Sequence, residues 1–466
     1  MHSIRMLMFA MTASVCAAAK APAAPELDAL FQDHAVLQRD RAVPVWGCAS
    51  PGEHVRVSFG GQTLGATAGP DGRWIVVLDP IAASSAGSQL TVSGVGEVAV
   101  RDVVVGDVWL CAGGSGMELA VDDGRGPLVG AGGAAEGAAA RYPLIRQFKV
   151  AVQSSARQVE AARGGWVICS PETVGRFTAV GYFFARDLHA RLNVPFGIIK
   201  CTVGGAPLAS WMSPLALSAL PALQNPRPAP GDPSAPGSAF NGMIQPMLQC
   251  AIRGVIWYQG EGDLGRAADY AVRFPEMIAG WRAHFGQAEL PFLWVQMESA
   301  DLLGEGPRGA RALMREAQSA ALSLPSTGQA VTVDIGGSGY ARARNMREVG
   351  RRLSLIAKAK AYSIPVDYSG PVYRDMTVEG PSIRVRFSSA GDGLTASGRP
   401  LQSFEVAGAD RVFHPAGAVI QGDSVVVRSA AVAQPVAVRY AWRDAPDANL
   451  YNGAGLPAAP FRSDSW

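Results

Sequence analysis

The stretch Val108-Trp109-Leu110-Cys111-Ala112-Gly113-Gly114-Ser115-Gly116-Met117 is an apolar run that stops at a glycine-rich turn carrying one serine. A short apolar run ended by turn residues reads as a buried strand, here Val108 to Cys111. The same grammar recurs at Phe196 to Val203, Ile252 to Tyr258, Phe292 to Met297 and Ala330 to Ile335. Between these runs, Phe177, Val180, Phe184, Leu188 and Leu192 fall on one helical face, as do Met346, Val349, Leu353 and Ile356. Strands alternating with amphipathic helices predict an α/β layer fold with a mostly parallel sheet from about Val103 to Ala361.

Outward from this block the periodicity changes. Val55, Val57 and Phe59 alternate with polar residues between turns such as Pro51-Gly52 and Gly60-Gly61, and alternation returns at Ile383, Val385 and Phe387 and at Val436 and Val438. Period two with frequent turns predicts a small β domain on each side of the α/β block. At the amino end, His2 and Arg5 precede an apolar run from Met6 to Ala19 that is too short to span a bilayer. Small residues follow it, and the pattern is that of an export signal cut near Ala19 to Ala24. The expected organisation is a signal peptide at 1–23, an N-terminal β domain at 24–104, the α/β domain at 105–361 and a C-terminal β domain at 362–466. The expected location is periplasmic or secreted. Two segments, Asp122 to Arg141 and Pro221 to Pro236, read as surface loops.

Composition narrows the function. The 466 residues carry 41 basic and 39 acidic side chains, a formal net charge of +2, and 48% are hydrophobic. That balance disfavours a disordered chain and a nucleic-acid binder driven by charge. No other stretch approaches the length of a membrane span. Loss of the signal removes Cys16 and leaves Cys48, Cys111, Cys169, Cys201 and Cys250, an odd number with no C-x-x-C pair. Neither a disulfide framework nor a zinc cluster is expected, and no cofactor motif is present.

Ligands of open α/β sheets bind beyond the carboxyl ends of the strands, so the residues after each run are the ones to search. Ser115 sits among glycines after the first, as a nucleophile or as an ordinary turn residue. Met117 excludes the G-x-S-x-G elbow. Gly204-Gly205-Ala206-Pro207 follows the second, with amides that could face an oxyanion. Gln259-Gly260-Glu261 follows the third, offering a side-chain amide or a structural pair. The last run leads into Gly336-Gly337-Ser338-Gly339-Tyr340-Ala341-Arg342, which holds no histidine.

Taken together, these segments resemble the sialate O-acetylesterase family of SGNH-type carbohydrate esterases. The stretches that carry the resemblance include Phe31 to Arg39, Asp107-Val108-Trp109-Leu110-Cys111, Cys169 to Val174 and Asn241-Gly242-Met243-Ile244. Further on come Gly254 to Glu261, Glu348 to Leu353, and Leu450-Tyr451-Asn452 ahead of Gly455-Leu456-Pro457. The resemblance implies an SGNH-hydrolase-like three-layer domain flanked by β domains. It also implies metal-free removal of acetyl groups from sugars, characteristically sialic acids, by a serine nucleophile. Position by position it implies Ser115 as nucleophile, with oxyanion donors from the Ser115 amide, an amide of Gly204 or Gly205, and the Gln259 side chain.

The chain also departs from the family pattern. Gly114 and Gly116 stand where the family usually has Gln and Asn, and Gly262-Asp263 where it has Ser-Asn. Tyr340-Ala341-Arg342-Ala343 stands where it has Asp-Ile-His-Pro. Arg342 thus occupies the base position, and a guanidinium cannot accept a proton. Lys200 is a substitute base only if buried. The residues predict an esterase-like protein with impaired catalysis. An active enzyme with a relocated base and a non-catalytic glycan-binding or structural protein remain open alternatives. The expected ligand is an O-acetylated sugar or sialic acid.

Overall fold

One strand runs through two sheets and organises the rest. Strand β1 (Glu97–Gly113) pairs antiparallel with Ser84–Ser93 along its first half. Its second half enters the central sheet. The computed structural model describes residues 24–122, 133–220, 232–301, 309–338 and 345–466. After β1 come the one-turn helix α1 (Ser115–Glu118), strands β2 (Ile145–Val150) and β3 (Gly164–Ile168), helix α2 (Ala179–Leu192) and β4 (Phe196–Thr202). Then follow β5 (Gly254–Tyr258), α3 (Ala267–His284), β6 (Phe292–Val295), α4 (Ala310–Ser319), β7 (Thr327–Ala330) and α5 (Met346–Tyr362). The sheet order is β3-β2-β4-β1-β5-β6-β7. The β2–β3 pair is antiparallel and the others are parallel, with Phe196 opposite Asp107 and Tyr258 opposite Gly113.

Side chains on a strand alternate between faces, and the cores obey this. Val108, Leu110 and Ala112 join Phe274, Met277 and Trp281 of α3 on one face. Trp109 and Cys111 join Val180, Phe184 and Leu188 of α2 and Val349 and Leu353 of α5 on the other. Helices therefore cover both faces of the sheet. The chain ends in an antiparallel sheet of seven strands that begins with Val372–Glu379 and Ser382–Ser388 and closes with Phe461–Arg462. Among the described residues no helix is long and apolar enough to cross a membrane.

Three local expectations change. The last strand is Thr327–Ala330, not Ala330 to Ile335. Beyond Ala330, the Thr332 hydroxyl donates to the Gln296 carbonyl at 2.7 Å, and Val331 and Val333 turn into the core of the C-terminal sheet. Within the expected loop Asp122 to Arg141, Gly133–Ala139 is helical. Four of its seven residues are alanine, the best helix former, and Glu136 accepts the Tyr182 hydroxyl proton at 3.0 Å and pairs with Arg186. Strands β2 and β3 also lay outside the expected set. Residues 123–132 and 221–231 of the two expected loops lie outside the described residues.

Candidate active site

The turn after β1 is built by close backbone approach. Gly113 adopts φ +131°, and a Cβ there would strike the Tyr258 carbonyl. The Gly114 N–H donates to that same carbonyl at 2.8 Å, locking the β1 and β5 ends together. A Cβ on Gly116 would lie 2.7 Å from the Tyr258 ring. That explains in part why glycine stands here: the ring fills the space a side chain would need. Beneath it the Tyr258 hydroxyl donates to Glu298 at 2.9 Å, and Glu298 pairs with Arg311 at 3.6 Å.

Helix α1 is a single turn, too short to satisfy its own carbonyls. Thr178 Oγ1 donates to the Met117 carbonyl at 2.7 Å, and Lys200 Nζ donates to the Glu118 carbonyl at 2.8 Å. Lys200 is buried in β4, and that burial, with the nearby charge of Lys149, lowers its pKa to about 8. Its ammonium thus clamps the turn that carries the serine.

Ser115 is half-buried at the first position of α1. Its Oγ lies 3.6 Å from where a Cβ on Gly204 would sit, an ordinary contact distance that places the hydroxyl next to the loop after β4. Gly205 has φ +74° with open space beside its Cα, a conformation that favours glycine. Among the described residues, neither the Gly204 nor the Gly205 N–H has a hydrogen-bond acceptor. The structure therefore brings Ser115, Gly204 and Gly205 together.

Gln259 is placed differently from its expected role. Its Nε2 donates to the Ala206 carbonyl at 3.2 Å and to Asp263 at 2.7 Å, which uses both amide hydrogens. Asp263 also accepts the Leu208 N–H at 2.7 Å. Gln259 therefore fastens the Gly204–Gly205 loop to the end of β5, and in this arrangement it has no N–H left for an oxyanion. Burial raises the Asp263 pKa despite these donors.

Arg342, with Tyr340 to Ala343, lies outside the described residues. The described histidines are engaged elsewhere. His34 pairs with Asp102 at 2.7 Å, His189 Nδ1 bonds the Val194 carbonyl at 2.7 Å, and His284 packs on Phe240. His54 lies beside Gly65, and His414 is in the C-terminal sheet opposite Val406.

Two carboxylates lie close to the turn, of which Glu118 was missed in the sequence and Glu261 was read only as a structural partner of Gln259. Glu118 Oε2 lies 2.7 Å from the same ideal Cβ position on Gly204, and Glu261 Oε2 lies 3.6 Å from that on Gly114. The signal for Glu118 was its spacing, three residues after Ser115 on a predicted turn.

Residues 105–354 match the family model described as carbohydrate esterase, sialic acid-specific acetylesterase. Sialate O-acetylesterases from Homo sapiens and Pongo abelii are each 30% identical over 386 residues, covering 74% of this chain and 71% of theirs. The crystal structure of a carbohydrate acetylesterase from Xanthomonas citri superposes with a TM-score of 0.88 at 42% identity, covering 95% of this chain and all of that one. The chain belongs to the sialic acid-specific acetylesterase family of carbohydrate esterases.

Proposed function

We propose that the protein is a carbohydrate O-acetylesterase that works through Ser115 at a rate well below that of a histidine-equipped relative. One observation supports this most directly. The Ser115 Oγ lies 3.6 Å from the Cβ position of Gly204, in a loop whose Gly204 and Gly205 N–H groups have no acceptor among the described residues. Such donors favour the negative oxygen of a tetrahedral intermediate. The names of the relatives suggest acetylated sialic acids or other acetylated sugars as substrates.

The reduced rate follows from Arg342. Losing the base of a serine triad costs on the order of a million-fold in turnover, and the oxyanion hole and binding retain roughly a thousand-fold over water. The test is hydrolysis of an O-acetylated sialic acid, an acetylated neutral sugar and an aryl acetate by the native protein and by Ser115→Ala. Slow turnover that disappears in the variant supports the reading. Equal rates in the two proteins would refute it, and binding of acetylated sugar without turnover would favour the non-catalytic alternative. The amino-terminal pattern supports export from the cytoplasm, which N-terminal sequencing of the mature form checks.

A further inference from the structure

We propose that Glu118 is the general base for Ser115, taking the role that an imidazole plays elsewhere. This rests on the esterase reading and names the group that completes its site.

The argument begins with one point in space. The ideal Cβ position on Gly204 is 2.7 Å from Glu118 Oε2 and 3.6 Å from Ser115 Oγ, so the carboxylate and the hydroxyl converge over the same glycine. Residues three apart on a helical turn share a face, and α1 holds Ser115 and Glu118 at that spacing. Glu118 is exposed, and its carboxylate has no hydrogen-bond partner among the described residues. Rotation about its side-chain bonds can bring an oxygen onto the serine hydroxyl without breaking a contact. A Cβ at 204 would meet the carboxylate where it now lies and push it aside, while leaving the serine hydroxyl at ordinary contact distance.

Lys200 supports the arrangement from beneath. Its Nζ fixes the Glu118 carbonyl at 2.8 Å, which holds the end of the one-turn helix in place. Glu261 is the other carboxylate at the turn, but it lies near the Cβ position of Gly114 rather than that of Gly204.

The chemistry balances. Glu118 accepts the Ser115 Oγ proton as Oγ bonds to the acetyl carbon, and the carbonyl electron pair moves onto oxygen. Collapse expels the sugar oxygen, which takes the proton from Glu118 and leaves as the free hydroxyl. Water then gives a proton to Glu118 while its oxygen attacks the acetyl-serine. The second collapse releases acetic acid, which ionises in the solvent, as Oγ takes the proton back from Glu118.

The test separates this proposal from the esterase reading by measuring serine reactivity directly. Ser115 in the full chain is labelled with a fluorophosphonate and the adduct followed by mass spectrometry, beside hydrolysis of an acetylated sugar. Glu118→Gln is expected to slow labelling at least a hundred-fold while keeping the native melting temperature. Glu118→His is expected to restore labelling and to move the acid limb of its pH profile toward neutrality. Labelling unchanged in Glu118→Gln overturns the proposal, as does loss of labelling in Glu261→Gln alone or failure of native Ser115 to label. Glu118-dependent labelling without sugar deacetylation would leave the base assignment standing and remove the esterase reading.

Discussion

The two ends of the parallel part of β1 each hold a buried aspartate system, and the two are built oppositely. At the amino end, Asp107 accepts from Gln38 at 3.1 Å, from Arg39 at 3.0 and 3.1 Å, from Arg253 at 3.1 Å and from the Tyr362 hydroxyl at 3.0 Å. Burial alone would raise its pKa, but the Arg39 hydrogen bonds and the charges of Arg253 and Arg39 hold it below the usual carboxylate range. Some 20 Å away, at about 3.3 Å per residue, the carboxyl end has Asp263. There burial outweighs the donors and the pKa rises. The saturated end is a structural anchor. The undercompensated end fastens the loop after β4, which holds Gly204 and Gly205, to the end of β5 through Gln259 and the Leu208 N–H.

The contrast can be broken by substitution. Asp107→Ala should be the most damaging change, because it leaves two guanidinium groups and a tyrosine hydroxyl without their acceptor. A loss of about 3–5 kcal/mol is expected in urea unfolding, and a loss below about 1 kcal/mol would deny Asp107 its anchoring role. Next is the buried ammonium at the carboxyl end. Burial lowers the Lys200 pKa from its ordinary 10.5 to about 8, so between those values the unfolded chain binds more protons and stability rises with pH. Native protein should therefore gain about 2–3 kcal/mol relative to Lys200→Met between pH 7 and pH 10. Parallel curves would place Lys200 in a more solvated setting.

Gly116→Ala should cost about 1–3 kcal/mol by overpacking against the Tyr258 ring, read as a fall in thermal midpoint. A neutral result would show that the ring can step aside. The smallest effect sharpens the contrast through pH. The lowered Asp107 pKa gives stability that is present above the unfolded value of 3.8 and lost as pH falls through the folded one. The raised Asp263 pKa gives stability present below 3.8 and lost as pH rises through the folded value. The cost of Asp107→Asn should shrink on acidification while that of Asp263→Asn, about 1 kcal/mol, should grow. Slopes of the same sign would contradict the opposed shifts.

The sequence made the central layer readable because burial on both faces writes apolar runs, and Val108 to Cys111 and Phe196 to Val203 fall within β1 and β4 with at most one residue beyond. Strands β2 and β3 were harder to see. Ile145–Val150 carries Arg146, Gln147 and Lys149, whose polar side chains interrupt the apolar pattern. The glycines around Ser115 were legible as a turn, but their steric reason was not. Tyr258, which confines Gly113 and Gly116, is more than 140 residues away in the chain. Gln259 misled for a similar reason. A side-chain amide after a strand can face the ligand or the scaffold, and the choice is made by Ala206 and Asp263. Asp107 was quoted in a family-like stretch, yet its role depends on partners 69 and 255 residues distant.

The continuity of β1 bears on how the molecule can be taken apart. Residue 104, where the sequence reading ends its first β region, lies inside Glu97–Gly113. Cutting the gene at that point would sever a ladder in mid-course and strip the strand that leads to Ser115 of its antiparallel neighbour. A shortened version of the chain that keeps the central sheet whole would have to carry along the amino-terminal strands that pair with the first half of Glu97–Gly113.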